Sequence, residues 1–228
     1  MVSLASFTAG RPTRRRYNLD AIGNALRALQ RAFPLVNPTL EDRRDSLGDE
    51  VVENMLAGYA MVDSLLADDV NLFAFGHLQS WLDLNTLVLC GEEVIHPTHI
   101  ADLIRATEER FYDDLKGGIR AIMEWYEGAS SQTVWRRAAG VYIRMVSEPQ
   151  LFPEGNHRTG ILIMSYLLGR EGKPPIVLTP GNAKEFFDPS TRAKQLRKGT
   201  FAMIFGMRAL KLQIAGFLER EASEAYLS

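Results

Sequence analysis

Residues 149–170 read Pro149-Gln-Leu-Phe-Pro-Glu-Gly-Asn-His-Arg-Thr-Gly-Ile-Leu-Ile-Met-Ser-Tyr-Leu-Leu-Gly-Arg170. Ile161 to Leu168 is apolar almost all round, as in a helix buried at the centre of a bundle rather than one lying on its surface. Ahead of it stand Gly155 and Asn156, two residue types that tolerate a positive φ, so the pattern predicts a tight loop feeding a helix from Arg158 to Leu168. Such a loop can turn consecutive backbone N–H groups toward one point at the positive end of a helix, which makes an anion cradle. Arg158 falls in the first turn, where a cation is disfavoured by the helix dipole unless an anion such as a phosphate neutralises it. Glu154 adds a hard carboxylate oxygen, and magnesium held on nucleotide phosphates takes only one or two of these from protein. A plainer alternative stays open, in which Gly-Asn is an ordinary turn and Arg158 pairs with a carboxylate at a helix end.

Apolar residues recur at helical spacing on both sides of this stretch, and period-two alternation is scarce. The expected fold is therefore all-α, a helical bundle around a buried central helix. Asp20 to Phe33 reads as a short helix closed by Pro34. Ser46 supplies an N-cap for a helix reaching about Ala67, and another helix runs from about Leu72 into the 80s. Residues 86–95 allow two readings, a small β-hairpin turning at Cys90-Gly91 or a helix that ends at Gly91. Pro97 and Thr98 open a long helix that Gly117-Gly118 would kink. Ser130 or Ser131 caps the next helix, which stops before Pro149.

With 228 residues, 25.6 kDa, a net charge of -2 and a pI near 6.1, the chain has the make-up of one ordinary globular domain. The single cysteine, Cys90, excludes an internal disulfide, and four histidines with one cysteine exclude a zinc ribbon. No apolar run approaches the roughly 18 residues of a membrane span, and the opening residues lack the basic start of a signal peptide, so a cytoplasmic location is expected. Residues 1–44 hold Arg11, Arg14, Arg15, Arg16, Arg27, Arg31, Arg43 and Arg44 against Asp20, Glu41 and Asp42. This is read as a basic arm with a short helix, set apart from a helical domain at 45–228. Arg14 to Arg16 could meet an acidic partner, but a solvated arm is the commoner outcome and nucleic acid is not expected. His96 and His99 have the spacing of a shared metal site but no third ligand. Lys194, Arg197 and Lys198 read as a solvated basic stretch.

The 150–161 segment resembles the signature of the Fic (Fido-fold) family, His-x-Phe-x-[Asp/Glu]-Gly-Asn-Gly-Arg-x-x-Arg. Phe152, Glu154, Gly155, Asn156 and Arg158 stand at matching positions, and Gly172-Lys-Pro-Pro175 is similar to an exit common in that family. The resemblance implies a loop that binds ATP phosphates with magnesium, and a histidine that activates a target hydroxyl to receive AMP. It also implies that Glu154 holds the metal, Gly155, Asn156 and Arg158 take the phosphates, and Phe152 anchors the loop. A flap at residues 86–95 would align the target segment by strand addition. Three departures weaken the catalytic part: Gln150 replaces the histidine, His157 replaces the inner glycine, and Ile161 replaces the second arginine. Glutamine is no general base near neutral pH, a role worth roughly 100- to 10,000-fold in rate.

A Fic-like domain with a degenerate motif is therefore expected, binding a nucleotide or other phosphate-bearing ligand with AMP transfer weak or absent. Two alternatives stand beside it: an active nucleotidyl or phosphoryl-group transferase using His157 as an altered base, and a helical protein-interaction module without catalysis. A target protein is the expected partner of an active form. The restraining helix found in many such proteins is matched imperfectly by Ser46 with Glu50 and by Glu53-Asn54, whose usual arginine partner would be at Ile161.

Overall fold

The computed structural model describes residues 15–91 and 98–228. Helix makes up about 70% of the described residues, which contain no strand, only the isolated bridges Tyr17 to Leu227 and Glu148 to Arg197. The helices are α1 (Leu19–Val36), α2 (Asp49–Ala67), α3 (Gln79–Cys90), α4 (Thr98–Tyr112), α5 (Ile119–Gly128), α6 (Val134–Val146), α7 (Asn156–Arg170), α8 (Ala183–Gln195) and α9 (Phe201–Arg220). The all-α expectation holds.

α7 is the axis of the molecule. Every residue from Thr159 to Gly169 is buried, and each of its large apolar side chains gains about 1.5–3 kcal/mol by leaving water. α2, α3 and α6 enclose it. The approach of α6 is so close that a Cβ on Gly160 would stand 2.6 Å from the Tyr142 ring, while a Cβ on Gly58 of α2 would meet Leu162 at 2.4 Å. Ser165, buried deep in α7, returns its hydroxyl to Ile161 O at 2.9 Å.

Several sequence expectations are corrected here. Residues 86–89 are the last turns of α3, which ends at Gly91 with φ 73°, so the hairpin is replaced by its helical alternative. Residues 92–97, with the rest of that expected flap and His96, lie outside the described residues, as does the side chain of His99. Pro34 lies inside α1 rather than ending it, because a proline in a last turn removes a single ladder bond. The expected long helix after Pro97 is broken, not kinked. Asp113 caps a short 3-10 turn, Gly117 takes φ 73°, and α5 starts afresh at Ile119. α2 begins at Asp49 after Gly48 rather than at Ser46, and α6 is capped by Thr133 rather than Ser130 or Ser131.

The described part of the N-terminal segment is stitched to the remainder. α1 places Ile22, Leu26, Leu29 and Phe33 in the common core. Arg16 pairs with the buried carboxylate of Asp63 through Nε at 2.7 Å, and Tyr17 N donates to the same group at 2.9 Å. Arg15 pairs with Glu224, and Asn18 N and Ser228 N bond across to Tyr226 O and Arg16 O at 2.9 Å each. Two members of the basic triplet are thus engaged inside the molecule. Among the described residues no helix is long and apolar enough to cross a membrane.

Candidate functional site

The loop from Pro149 to Gly155 is held from beneath by residues that the sequence does not single out. Lys198, read as solvated, is half-buried and donates to Pro149 O at 2.7 Å and Gly117 O at 3.1 Å. Burial, helped by Arg110 and Arg144, pulls its pKa down to about 8. Arg110 donates to Gln150 O. Phe152 is 1% exposed and stacks on Phe111 with ring centroids 5.6 Å apart. The side chain of Asn156 turns back into the loop, accepting from Phe152 N at 2.9 Å and donating to Phe152 O at 2.7 Å. Asn85 of α3 braces the loop from the other side, its Nδ2 donating to Glu154 O and Thr159 Oγ1 at 3.0 Å each. A buried asparagine within the apolar run of α3 was the one sequence signal for this brace.

Gly155 then turns the chain with φ 76°, and α7 starts at Asn156, two residues earlier than expected and with no side-chain cap. The first N–H groups of a helix have no intrahelical partner, so the positive end of α7 is presented without a competing side-chain acceptor. A Cβ at Gly155 would collide with Asn85 Nδ2 at 2.8 Å. Conformation and space therefore both require glycine there.

Arg158 does not point at bulk water. Its Nη1 donates to Val88 O at 2.6 Å in the last turn of α3, where a cation answers the negative end of that helix. The guanidinium is half-buried, and burial lowers its pKa against the opposing pull of Glu154 and Glu50. A helix-end carbonyl, rather than the carboxylate of the plainer alternative, is its partner. Glu154 itself is exposed. Gln150 is tied by Nε2 to Val146 O at 3.2 Å, and its Oε1 accepts from Asn156 Nδ2 at 3.3 Å. Glu50 and Glu53 line a separate groove with Asn54, Cys90 and Gly91.

His157 has the most definite chemistry. Tyr142 Oη lies 2.7 Å from its Nδ1 and donates to Ser190 Oγ at 2.8 Å, while Ser190 Oγ donates to Phe186 O at 2.6 Å. A serine hydroxyl has one proton and a tyrosine hydroxyl has one. The serine proton is on Phe186 O, so the tyrosine proton is on Ser190, and Nδ1 must carry the hydrogen that joins His157 to Tyr142. Nε2 is then a bare acceptor, and it is buried without a hydrogen-bond partner. Such an orphan costs about 1–3 kcal/mol. Burial, with the charges of Arg44 and Lys194 adding to it, drives the imidazole pKa down to about 3. At neutral pH the ring is an uncharged acceptor and a poor proton store.

Above α7's first turn opens a cavity of about 370 Å³ between α1, α2 and residues 44–47. Gly155, Asn156, His157 and Arg158 line it, as do Ile161, Met55 and Phe187. Arg44, read from the sequence only as part of a basic arm, lies here too, its Nη2 donating to Thr191 Oγ1 at 2.8 Å and its guanidinium stacked 5.3 Å from the Phe187 ring centre.

No family model matches this sequence, and no curated protein matches it either. Among solved structures, a fragment of Fic-1 from C. elegans is similar, with a TM-score of 0.45 and 16% identity over 89% of this chain. The chain spans 60% of that fragment.

Proposed function

We propose that this chain is a Fic-like binding domain that takes a nucleotide or other phosphate-bearing ligand at the start of α7, with AMP transfer to protein hydroxyls weak or absent. The observation that supports it best is the uncapped N-terminus of α7 at Gly155, opening beside Arg158 onto a cavity. Backbone N–H groups and a helix dipole at such an end favour a phosphate. The motif residues Glu154, Gly155, Asn156 and Arg158 support the same reading. Asn156 commits its side chain to the loop and keeps its backbone N–H for a ligand, and Arg158 has one N–H engaged by Val88 O.

Weak transfer follows from the two residues placed to act as bases. Gln150 is an amide committed to hydrogen bonds. His157, with a pKa near 3, lies far from the neutral value at which a general base works best. The active-transferase alternative is disfavoured on that ground. Among the described residues no three metal-binding side chains come together, so magnesium enters this reading only with a nucleotide's own phosphates, Glu154 offering one exposed oxygen. A target protein remains part of the proposal for any residual transfer.

Calorimetry with ATP, ADP, GTP and CDP-choline, each with and without magnesium, tests the binding. One of them should bind, and Arg158→Ala should weaken it by about 1.5–3 kcal/mol, the worth of a charge-assisted contact. Absence of binding by all four, or an unchanged affinity in Arg158→Ala, refutes the reading. Radiolabelled nucleotide incubated with cell lysate should label nothing with the natural chain. Labelling that His157→Ala abolishes would overturn the weak-transfer part.

A further inference from the structure

Trp125 of α5 holds two cations and no acid. The Arg144 guanidinium of α6 lies 3.9 Å from its ring centre, and the Lys211 ammonium of α9 lies 5.8 Å from it. Gly140, one turn before Arg144, leaves the room that the indole needs against α6. Arg136 stands one turn earlier again, so Arg136, Gly140 and Arg144 share one row of that helix at i, i+4 and i+8. Arg208 and Leu212 share a row of α9 beside Lys211, and α6 packs along α9. Lys211 reaches toward the start of α6, where its Nζ donates to Gln132 Oε1 at 3.0 Å. Burial lowers its pKa, and the charges of Arg144, Arg136 and Arg208 lower it further. Among the described residues none of these four cations makes an ion pair. An aromatic face attracts a cation without cancelling its charge, so this face keeps a net positive field.

We infer that the face formed by α6 and α9 binds an acidic segment of another protein, one that carries an apolar side chain among its carboxylates. Arg136 and Arg208 are exposed, so carboxylates reach them from solvent, while Arg144 and Lys211 are half-buried and add charge from behind. Leu212 is 45% exposed one turn along from Arg208, and it supplies the apolar contact. That leucine favours a peptide over a nucleic acid, because a phosphodiester backbone has nothing apolar to lay on it. Charge argues the same way. The chain as a whole carries -2, so a long polyanion running past this face meets net repulsion, whereas a short acidic segment meets only the four cations. None of these residues lines the cavity above α7, and the site stands apart from the phosphate reading.

Fluorescence anisotropy of a fluorescein-labelled peptide of glutamates interspersed with leucines, titrated with the full chain, provides the test. The peptide should bind at low salt and weaken as sodium chloride is raised, because exposed charges are screened. The same peptide with glutamine in place of glutamate should bind about tenfold or more weakly. Arg208→Glu combined with Lys211→Glu turns two attractions into repulsions and should weaken the acidic peptide about tenfold or more. Arg31→Glu, which reverses an exposed cation of α1, should leave the affinity unchanged. Leu212→Ser should weaken binding about threefold. If the doubly reversed chain fails to fold, Arg136→Glu makes the same test from α6. No binding of the acidic peptide overturns the inference, as do equal binding of the glutamine peptide and an unchanged affinity in the charge-reversed chain or in Leu212→Ser. Tighter binding of an oligothymidylate of equal charge, lost in the same variants, would give the face to nucleic acid and overturn it as well.

Discussion

The depressed pKa of His157 makes stability fall in mild acid, by an amount that can be worked out. An unfolded histidine titrates near 6.5 and the folded one near 3. Above pH 6.5 both states carry a neutral ring, so the contribution is fully present. As the pH falls below 6.5 the unfolded chain takes up a proton that the folded chain refuses, and stability is lost at up to about 1.4 kcal/mol per pH unit. The loss from this residue comes to about 0.8 kcal/mol at pH 6 and about 2 kcal/mol at pH 5. The pH 5 figure scarcely changes for any folded pKa below about 4, because the slope there is set by the unfolded state. His157→Asn removes the titration while its amide can still donate to Tyr142. Urea unfolding of both chains at pH 7.5, 6 and 5 isolates the effect, since every other titrating group is common to the two. The natural chain should lose about 2 kcal/mol relative to the variant between pH 7.5 and 5. Parallel curves would show that His157 takes up its proton freely in the folded protein. The buried ring beside Arg44 and Lys194, and the hydrogen-bond chain behind it, would then be wrong.

Two further substitutions probe the loop and the helix packing. Asn156→Ala should cost about 2–3 kcal/mol in urea unfolding, because it strips both side-chain bonds from the backbone of Phe152, and the Phe152 amide should exchange its hydrogen faster than in the natural chain. Gly160→Ala should destabilise by about 1–3 kcal/mol, since the new Cβ would stand 2.6 Å from a Tyr142 ring whose hydroxyl is pinned by Ser190 and His157. Its crystal structure or the His157 nitrogen spectrum should show the Tyr142 contact displaced.

The fold was legible where one residue pattern admitted one structure. A run that is apolar on every side, such as Ile161 to Leu168, has few places to go other than the centre of a bundle, and a Glu-Gly-Asn turn before it marks where the helix starts. Residues 86–90 were ambiguous because Thr-Leu-Val-Leu suits a strand as well as a helix. The decision comes from distant partners, with Asn85 and Val88 O presented to the loop and to Arg158 from successive turns of α3. The site was legible in outline only. Arg44 and His157 are 113 positions apart in the chain, and no local spacing links them. The role of His157 depends on the direction of three hydrogen bonds, which no sequence pattern records.

Ile161 sets part of the character of the cavity. It occupies the position where the resembling signature has its second arginine, and here it is 5% exposed and forms part of the cavity wall. An arginine there would bring a charge facing Met55 and Leu178, both of which line the same space, and a buried charge demands a paired anion. Isoleucine needs none. Its neighbours in the motif follow the same direction, since His157 is held neutral and Arg158 has turned one N–H onto a carbonyl of α3. Isoleucine at 161 and a His157 held neutral by burial therefore leave a largely apolar chamber above the first turn of α7. The same few side chains set which ligands the chamber can hold, so binding measured on the natural chain bears on the proposed function more directly than a transfer assay does.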